Sequence, residues 1–324
     1  MGSYRMPKYA VPLSALGTFM GGIYLLKDYM GGGKYTGEER LPGRTAIITG
    51  ANTGIGKETA RDLARRGGRI IMACRDLDKC ERARAEIVLE TANRNIKCQL
   101  LDLASVGSIK AFAKAVNQNE KRLDILINNA GIMRCPKLLT EDGFEMQLGV
   151  NHLGHFLLTH LLLDKLKASA PSRIINVSSL AHSRGRINFE DLNSANSYAP
   201  AAAYEQSKLA NVLFTVELAK RLKDTGVTCN AVNPGLVKTE IGRHLSVTKS
   251  YISSFLLFPF LWLMLKTPRQ GAQTTLYAAL DPRLAAVTGK YFSDCEEQAL
   301  SQQVVDEAVI KRLWAISEKW TRIT

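Results

Sequence analysis

Tyr204 and Lys208 stand four residues apart in the run Ala201-Ala202-Ala203-Tyr204-Glu205-Gln206-Ser207-Lys208-Leu209-Ala210-Asn211. The run favours a helix, and side chains at that spacing project from one helical face. An ammonium beside a phenol stabilises phenolate, which is expected to draw the tyrosine pKa down from its usual value of about 10. A tyrosine tuned in this way can accept or donate a substrate proton. The same spacing also arises when a tyrosine merely packs beside a solvated lysine, so the neighbouring motifs decide. Ser178 and Ser179 end the run Arg173-Ile174-Ile175-Asn176-Val177, and either hydroxyl could hydrogen-bond a substrate oxygen. Asn128-Asn129-Ala130-Gly131 ends a second apolar run, and Gly149-Val150-Asn151-His152 lies in the helical stretch that follows it.

The elements that must position these groups alternate regularly from residue 44 onward. Short apolar runs at 45–49, 69–74, 96–101, 125–128, 173–177 and 227–232 read as strands, with helical periodicity between them. Such βα alternation predicts an α/β domain: a doubly wound parallel sheet with helices on both faces. In such sheets ligands bind at the carboxyl ends of the strands, where the serines and the asparagine pair fall. The first strand ends in Thr49-Gly50-Ala51-Asn52-Thr53-Gly54-Ile55-Gly56 and leads into a helix. Glycines there let the backbone approach a pyrophosphate, and the helix N-terminus offers free N–H groups. A tight structural turn would need glycine as well, but the strand–turn–helix context favours a dinucleotide. The second strand ends Ile71-Met72-Ala73-Cys74-Arg75-Asp76. Cys74 occupies the place where an acidic residue would hold a ribose hydroxyl, and Arg75 suits a 2′-phosphate. Asp76 could pair with Arg75 or reach the ribose itself. The expected cofactor is NADP(H) rather than NAD(H).

With these motifs in order, residues 42–324 resemble the short-chain dehydrogenase/reductase family. The resemblance rests on the glycine loop (Gly50, Gly54, Gly56), Asn128–Gly131, the serine strand, Tyr204 with Lys208, and Pro234-Gly235 with Thr239. It implies a Rossmann-like fold and a role for each matching residue. Tyr204 would be the general acid/base, Lys208 would lower its pKa and hold the ribose hydroxyls, Ser179 would orient the substrate oxygen, and Asn151 would anchor a relay water. Gly50, Asn52, Thr53, Gly54, Ile55 and Gly56 would cradle the pyrophosphate. Arg75 would take the 2′-phosphate, Asp102 would sit by the adenine, Asn128, Ala130 and Gly131 would line the cofactor cleft, and Pro234, Gly235 and Thr239 would line its nicotinamide end. Within the family the chain is most similar to the retinol dehydrogenase 11-to-14 group. The phrases carrying this are Ala73-Cys74-Arg75-Asp76, Glu141-Asp142-Gly143-Phe144-Glu145, Asn151-His152-Leu153-Gly154-His155-Phe156-Leu157-Leu158-Thr159 and Ser178-Ser179-Leu180-Ala181-His182. Ser179 precedes Tyr204 by 25 residues, a long gap that matches this subgroup. The runs Pro12-Leu13-Ser14-Ala15-Leu16-Gly17 and Leu26-Lys27-Asp28-Tyr29 resemble one member in particular. That likeness implies NADPH-dependent reduction of all-trans-retinal, and the mitochondrial inner membrane rather than the endoplasmic reticulum.

Residues 1–40 read as a membrane-anchor or targeting segment followed by a flexible linker at Gly31-Gly32-Gly33. Residues 9–26 are apolar or small, but as a helix they span about 27 Å and carry Pro12 and three glycines. A cleaved signal peptide is the weaker alternative, since no convincing cleavage site follows. The net charge of +13 fits lipid headgroups and a phosphorylated cofactor. No basic block interleaved with aromatics suggests a nucleic-acid partner. The six cysteines form no CxxC pair, so buried reduced thiols, among them Cys74, Cys98 and Cys229, are expected rather than a metal site or disulfides. His152, His155 and His160 read as packing or capping residues, and no metal is expected. The sequon at Asn176 falls in a core strand and is discounted. A substrate lid is expected over residues 236–268, where the apolar run 251–265 would face a hydrophobic, retinoid-like substrate or the membrane surface. Packing on its own core or on a second copy in a homo-oligomer is the other reading of that run. A different lipid aldehyde, ketone or steroid would need the same chemistry. A non-catalytic cofactor-sensing or scaffold protein would have no need to keep Tyr204, Lys208, Ser179 and Asn151 together.

Overall fold

The computed structural model describes residues 10–244, 262–300, 304 and 306–322. Its core is one sheet of eight strands in the order β3-β2-β1-β4-β5-β6-β7-β8. The strands are β1 (Thr45–Thr49), β2 (Arg69–Cys74), β3 (Ile96–Leu100), β4 (Ile125–Asn128), β5 (Ser172–Val177), β6 (Val227–Asn233), β7 (Tyr291–Ser293) and β8 (Glu296–Gln298). All neighbours pair in parallel except the last two. Both faces are covered, as the near-continuous apolar runs require. Because side chains alternate along a strand, Ile48 and Met72 enter the core under α2 (Gly54–Arg65), α3 (Leu77–Thr91) and α8 (Pro268–Leu280). Their neighbours Ile47 and Ile71 enter the opposite core, under α4 (Val106–Asn119), α6 (Gly154–Ala168) and α7 (Pro200–Arg221). Phe156 anchors that second core between the rings of Phe214 (5.2 Å) and Trp314, which belongs to the C-terminal helix α9 (Glu307–Thr321).

Six strands fall within a residue of their expected limits; β7 and β8 were not anticipated. Each is three residues long, and Glu296-Glu297-Gln298 carries no apolar signal. The segment before α6 is α5 (Met146–Leu148) running into a π-helical stretch, Gly149–Leu153. The expected thiols need one correction. Cys98 is not reduced: it is disulfide-bonded to Cys80, with Cα atoms 6.0 Å apart. Helix α3 folds back onto its own strand and brings together residues separated by 18 positions.

The expected N-terminal segment is helix α1 (Ala10–Met30), with Phe19, Tyr24, Leu25 and Tyr29 exposed. Among the described residues no helix is long and apolar enough to cross a membrane. Gly17, Gly21, Gly22, Lys27 and Asp28 dilute its apolar character. The flexible linker is also corrected. Gly31, Gly32 and Gly33 lie against Gln270, Lys266 and Asp294, with no room for a Cβ. Of the expected lid, residues 245–261 fall outside the described residues.

Candidate active site

The strand order reverses between β1 and β4, which opens a crevice at their carboxyl ends. Gly50 after β1 faces Ala130 after β4; a Cβ on Gly50 would sit 3.0 Å from the Ala130 Cα. Thr49 locks the two turns together. Its Oγ1 accepts the backbone N–H groups of Asn129 and Ala130, each at 2.9 Å. The same hydroxyl lies 2.9 Å from Nε2 of His155. With both lone pairs in use, the threonine must donate to that nitrogen. The His155 proton then sits on Nδ1 and is donated to the Asn151 carbonyl at 3.0 Å. Burial holds this imidazole neutral, lowering its pKa to about 4. His152 is likewise neutral and meets Ser317 at 2.9 Å, while His160 donates from Nδ1 to the Phe156 carbonyl of its own helix at 2.9 Å.

Gly56 carries the tightest constraint in the glycine turn. A Cβ there would meet the Gly50 carbonyl and come within 2.6 Å of Asn129 Nδ2. Thr53 caps α2 through its extended backbone alone, and its side chain makes no cap bond, so the first-turn amides of Gly54, Ile55 and Gly56 are open to an anion. Thr239 packs directly on Gly54, 3.0 Å from where its Cβ would lie, which brings two distant motifs to one place. Asn52 is half-buried in the same turn. Cys74 is buried beneath it, accepting from the amides of Ala51 and Asn52, and burial raises its thiol pKa to about 11. Asp76 neither pairs with Arg75 nor points at the cleft: it caps α3, accepting from Lys79 N at 2.9 Å. Arg75 is exposed, with no carboxylate partner among the described residues. Asp102, at the end of β3, accepts from Ala104 N with one oxygen.

The four expected catalytic residues converge. Tyr204 lies on α7, buried, with Ser179 near enough to its phenol to favour the charged form. Lys208 is only 2% exposed, one turn on, with Nζ 5.8 Å from the Tyr204 ring centre. That amine donates to the Val177 carbonyl at 3.0 Å and lies 3.6 Å from the Cβ position of Gly131. The tyrosine–lysine pair therefore borders the glycine-lined crevice. Asn151 sits in the π-helical turn, where its amide donates to Ile132 O (3.0 Å) and Ser207 Oγ (2.9 Å) and its Oδ1 accepts from Ile132 N (2.9 Å). Both amide hydrogens are committed, so Asn151 fastens the loop after β4 to α7. Single-turn π-bulges inside α-helices often mark functional sites, since they turn one side chain away from the regular face.

The expectation for the tyrosine pKa is corrected. In the polypeptide itself burial raises it; the nearby Ser179 hydroxyl and the charge of Arg134 only partly offset this. Burial simultaneously brings Lys208 down to about 8. The sequence argument weighed charge and left out desolvation, which here is the larger effect. Asn128 also departs from its expected place at the cofactor. Its side chain is buried and donates to Thr159 (2.9 Å) and Asn176 (2.8 Å), a chain continued by Asn176 to Thr215. Gly235 takes a left-handed turn (φ 80°) at the far end of the crevice, its N–H bonded to Asn233. Pro234 is buried just before it.

Sequence reasoning missed Thr49, Ser207 and Arg134. Arg134 holds a left-handed backbone (φ 51°), with its N–H on Gln147 at 2.7 Å and its loop tied to Tyr198 through the Cys135 carbonyl at 2.7 Å. Its position three residues after the asparagine motif was the one available signal.

A dinucleotide crevice beside a serine–tyrosine–lysine group defines a class, and comparison with known proteins gives the same one. Residues 44–250 match the short chain dehydrogenase family, and the chain belongs to that family of oxidoreductases. It is 57% identical to human retinol dehydrogenase 13 over 97% of this chain and 95% of that protein. It is 52% identical to mouse retinol dehydrogenase 11, over 90% of each. Among solved structures it is similar to an uncharacterised protein from Mycobacterium paratuberculosis (TM-score 0.70, 39% identity, 88% of this chain and 95% of that one). It is also similar to a Pseudomonas aeruginosa RhlG/NADP active-site complex (TM-score 0.63, 26% identity, 78% and 95%). Gly56→Ala is expected to weaken dinucleotide binding by about tenfold or more, because the backbone must shift to admit the methyl. Fluorescence titration with NADPH checks this, with circular dichroism confirming an unchanged fold.

Proposed function

We infer that this chain reduces a hydrophobic aldehyde, all-trans-retinal foremost, to its alcohol with NADPH. The observation that carries the reading is the buried Tyr204 one helical turn from the buried Lys208 amine, which stands 3.6 Å from the Cβ position of Gly131. High identity to proteins named retinol dehydrogenases supports the retinoid. NADPH fits the residues present: Arg75 exposed without a carboxylate, Cys74 where an acid would repel a 2′-phosphate, and Asp76 engaged as a cap. When bound, NADPH supplies the hydride that reaches the carbonyl carbon.

This chain's own residues do the rest. The first-turn amides of Gly54, Ile55 and Gly56, with Asn52 and Thr53, would hold the pyrophosphate, and Asp102 would take the adenine side. Ala130 and Gly131 would line the cofactor cleft, and Pro234, Gly235 and Thr239 would line its nicotinamide end. Asn128 acts from beneath, holding β4 to β5. Ser179 orients the carbonyl oxygen and Tyr204 delivers the proton to it. Its raised pKa keeps that proton in place at neutral pH. Lys208 keeps two N–H donors beyond the Val177 carbonyl, enough to engage ribose hydroxyls. Asn151 orders a relay water through the second lone pair of Oδ1. The exposed aromatics of α1 and the chain's +13 charge support work at a membrane surface, and the N-terminal likeness at residues 12–17 and 26–29 favours the mitochondrial inner membrane over the endoplasmic reticulum.

Turnover of all-trans-retinal, a fatty aldehyde and a keto-steroid with each cofactor tests the assignment, and no turnover of retinal removes the retinoid. Tyr204→Phe is expected to lower kcat by about a hundredfold or more while NADPH still binds. Arg75→Ala is expected to cost about tenfold in kcat/KM with NADPH and little with NADH. Equal losses with both cofactors would count against the 2′-phosphate assignment.

A further inference from the structure

Helix α1 does not hang from the domain. Near its C-terminal end Lys27 donates to three backbone carbonyls, those of Trp262, Leu263 (3.3 Å) and Leu265 (2.6 Å). These belong to the helical turn at 262–264 and the residue after it, whose carbonyls have no further turn to receive them. The ammonium also stands 5.2 Å from the centre of the Trp262 ring. A lysine therefore caps the end of a segment 235 positions away in sequence.

Immediately after α1, the glycine run closes a second seam on the same segment. Gly32 takes a left-handed backbone (φ 75°) and presses on Lys266 Nζ and the Asp294 carboxylate, which are themselves ion-paired. Gly31 presses on Gln270, and Gly33 on the Asp294 backbone. Any side chain at Gly32 would displace the Lys266–Asp294 pair.

Lys266 carries the connection to the crevice. Its N–H donates to Leu236 O at 2.7 Å and its carbonyl accepts from Lys238 N at 3.0 Å, forming a parallel bridge with Val237 between. Its aliphatic stem lies along Gly235, with Cε 3.0 Å from that residue's Cβ position. An unbroken set of contacts thus runs from Lys27 to residues 262–266 and on to Pro234-Gly235, the corner at the nicotinamide end of the crevice.

We propose that α1 is docked on the segment that borders the substrate end of the crevice, and that Lys27 is a positioning residue which braces the Pro234-Gly235 corner through residues 262–266. A lipid surface that engages the exposed aromatics of α1 then bears directly on the end of the crevice where a hydrophobic carbonyl enters. The kinetic consequence rests on the retinal-reductase reading; the mechanical one does not.

The experiment uses the full chain, unaltered and as Lys27→Met and Lys27→Arg. Methionine keeps an apolar stem of similar length and removes every donor, whereas arginine keeps donors. Amide hydrogen exchange is followed in peptides covering 234–238 and 262–267, with β2 and β3 as internal controls. Lys27→Met is expected to speed exchange at both sites by about tenfold, leave the controls unchanged, and be rescued by arginine. With all-trans-retinal in phosphatidylcholine vesicles, the methionine variant is expected to show a KM raised about tenfold, with NADPH affinity within about twofold of the unaltered chain. Unchanged exchange in the methionine variant overturns the proposal. So does faster exchange confined to 262–267, since the brace would then stop short of the crevice. If the unaltered chain fails to turn over retinal, the substrate reading falls and the exchange result still decides the brace.

Discussion

An amine kept almost wholly out of water is the constraint around which this site is arranged. Lys208 is 2% exposed, and among the described residues its amine donates to one backbone carbonyl, that of Val177. Burying a charge in this way is unfavourable, and the protein meets the cost by letting the ammonium pKa fall to about 8. The same burial raises the neighbouring phenol. The proton affinities of lysine and tyrosine, ordinarily close, are thus driven apart so that both neutral forms are favoured, and charge delivered into the crevice can act on both with little screening.

Such a pair is useful only if it cannot wander. The fastening is polar and converges from four elements. Thr49 holds the turn after β1 to the turn after β4, His155 ties that threonine to the π-helical turn, and Asn151 ties the turn to Ile132 and to Ser207 on α7. Beneath them the Thr159–Asn128–Asn176–Thr215 chain joins β4 and β5 to the helices on one face. The side chains of Thr49, Asn151, His155, Asn128 and Asn176 are buried and their donors would be costly to leave unpaired, so the network selects one arrangement of strand ends. Of the three histidines His155 is a neutral link in that network, kept neutral by its burial.

Much of this was legible in the sequence, for a physical reason. Strands buried on both faces write themselves as continuous apolar runs, so 45–49 and 69–74 were located to the residue. The glycine turn and the tyrosine–lysine spacing are local, and local patterns survive projection onto one dimension. What escaped depends on partners far apart in the chain. The Cys80–Cys98 bond needs α3 folded back on β3, the seating of Gly31, Gly32 and Gly33 needs Asp294, and the part played by Thr49 needs His155 more than a hundred positions away. The direction of the tyrosine shift was misjudged because spacing reveals a neighbouring charge but not the depth at which both groups lie.

The most direct test of this account is the pH dependence of kcat/KM for retinal reduction between pH 6 and 10. Lys208 is charged below about 8 and neutral above it, whereas Tyr204, with its pKa raised, keeps its proton across the range. The account predicts a plateau at low pH and a single-proton fall as pH rises through about 8. A rate that stays level to pH 9.5, or that climbs as the solution becomes more alkaline, would contradict it.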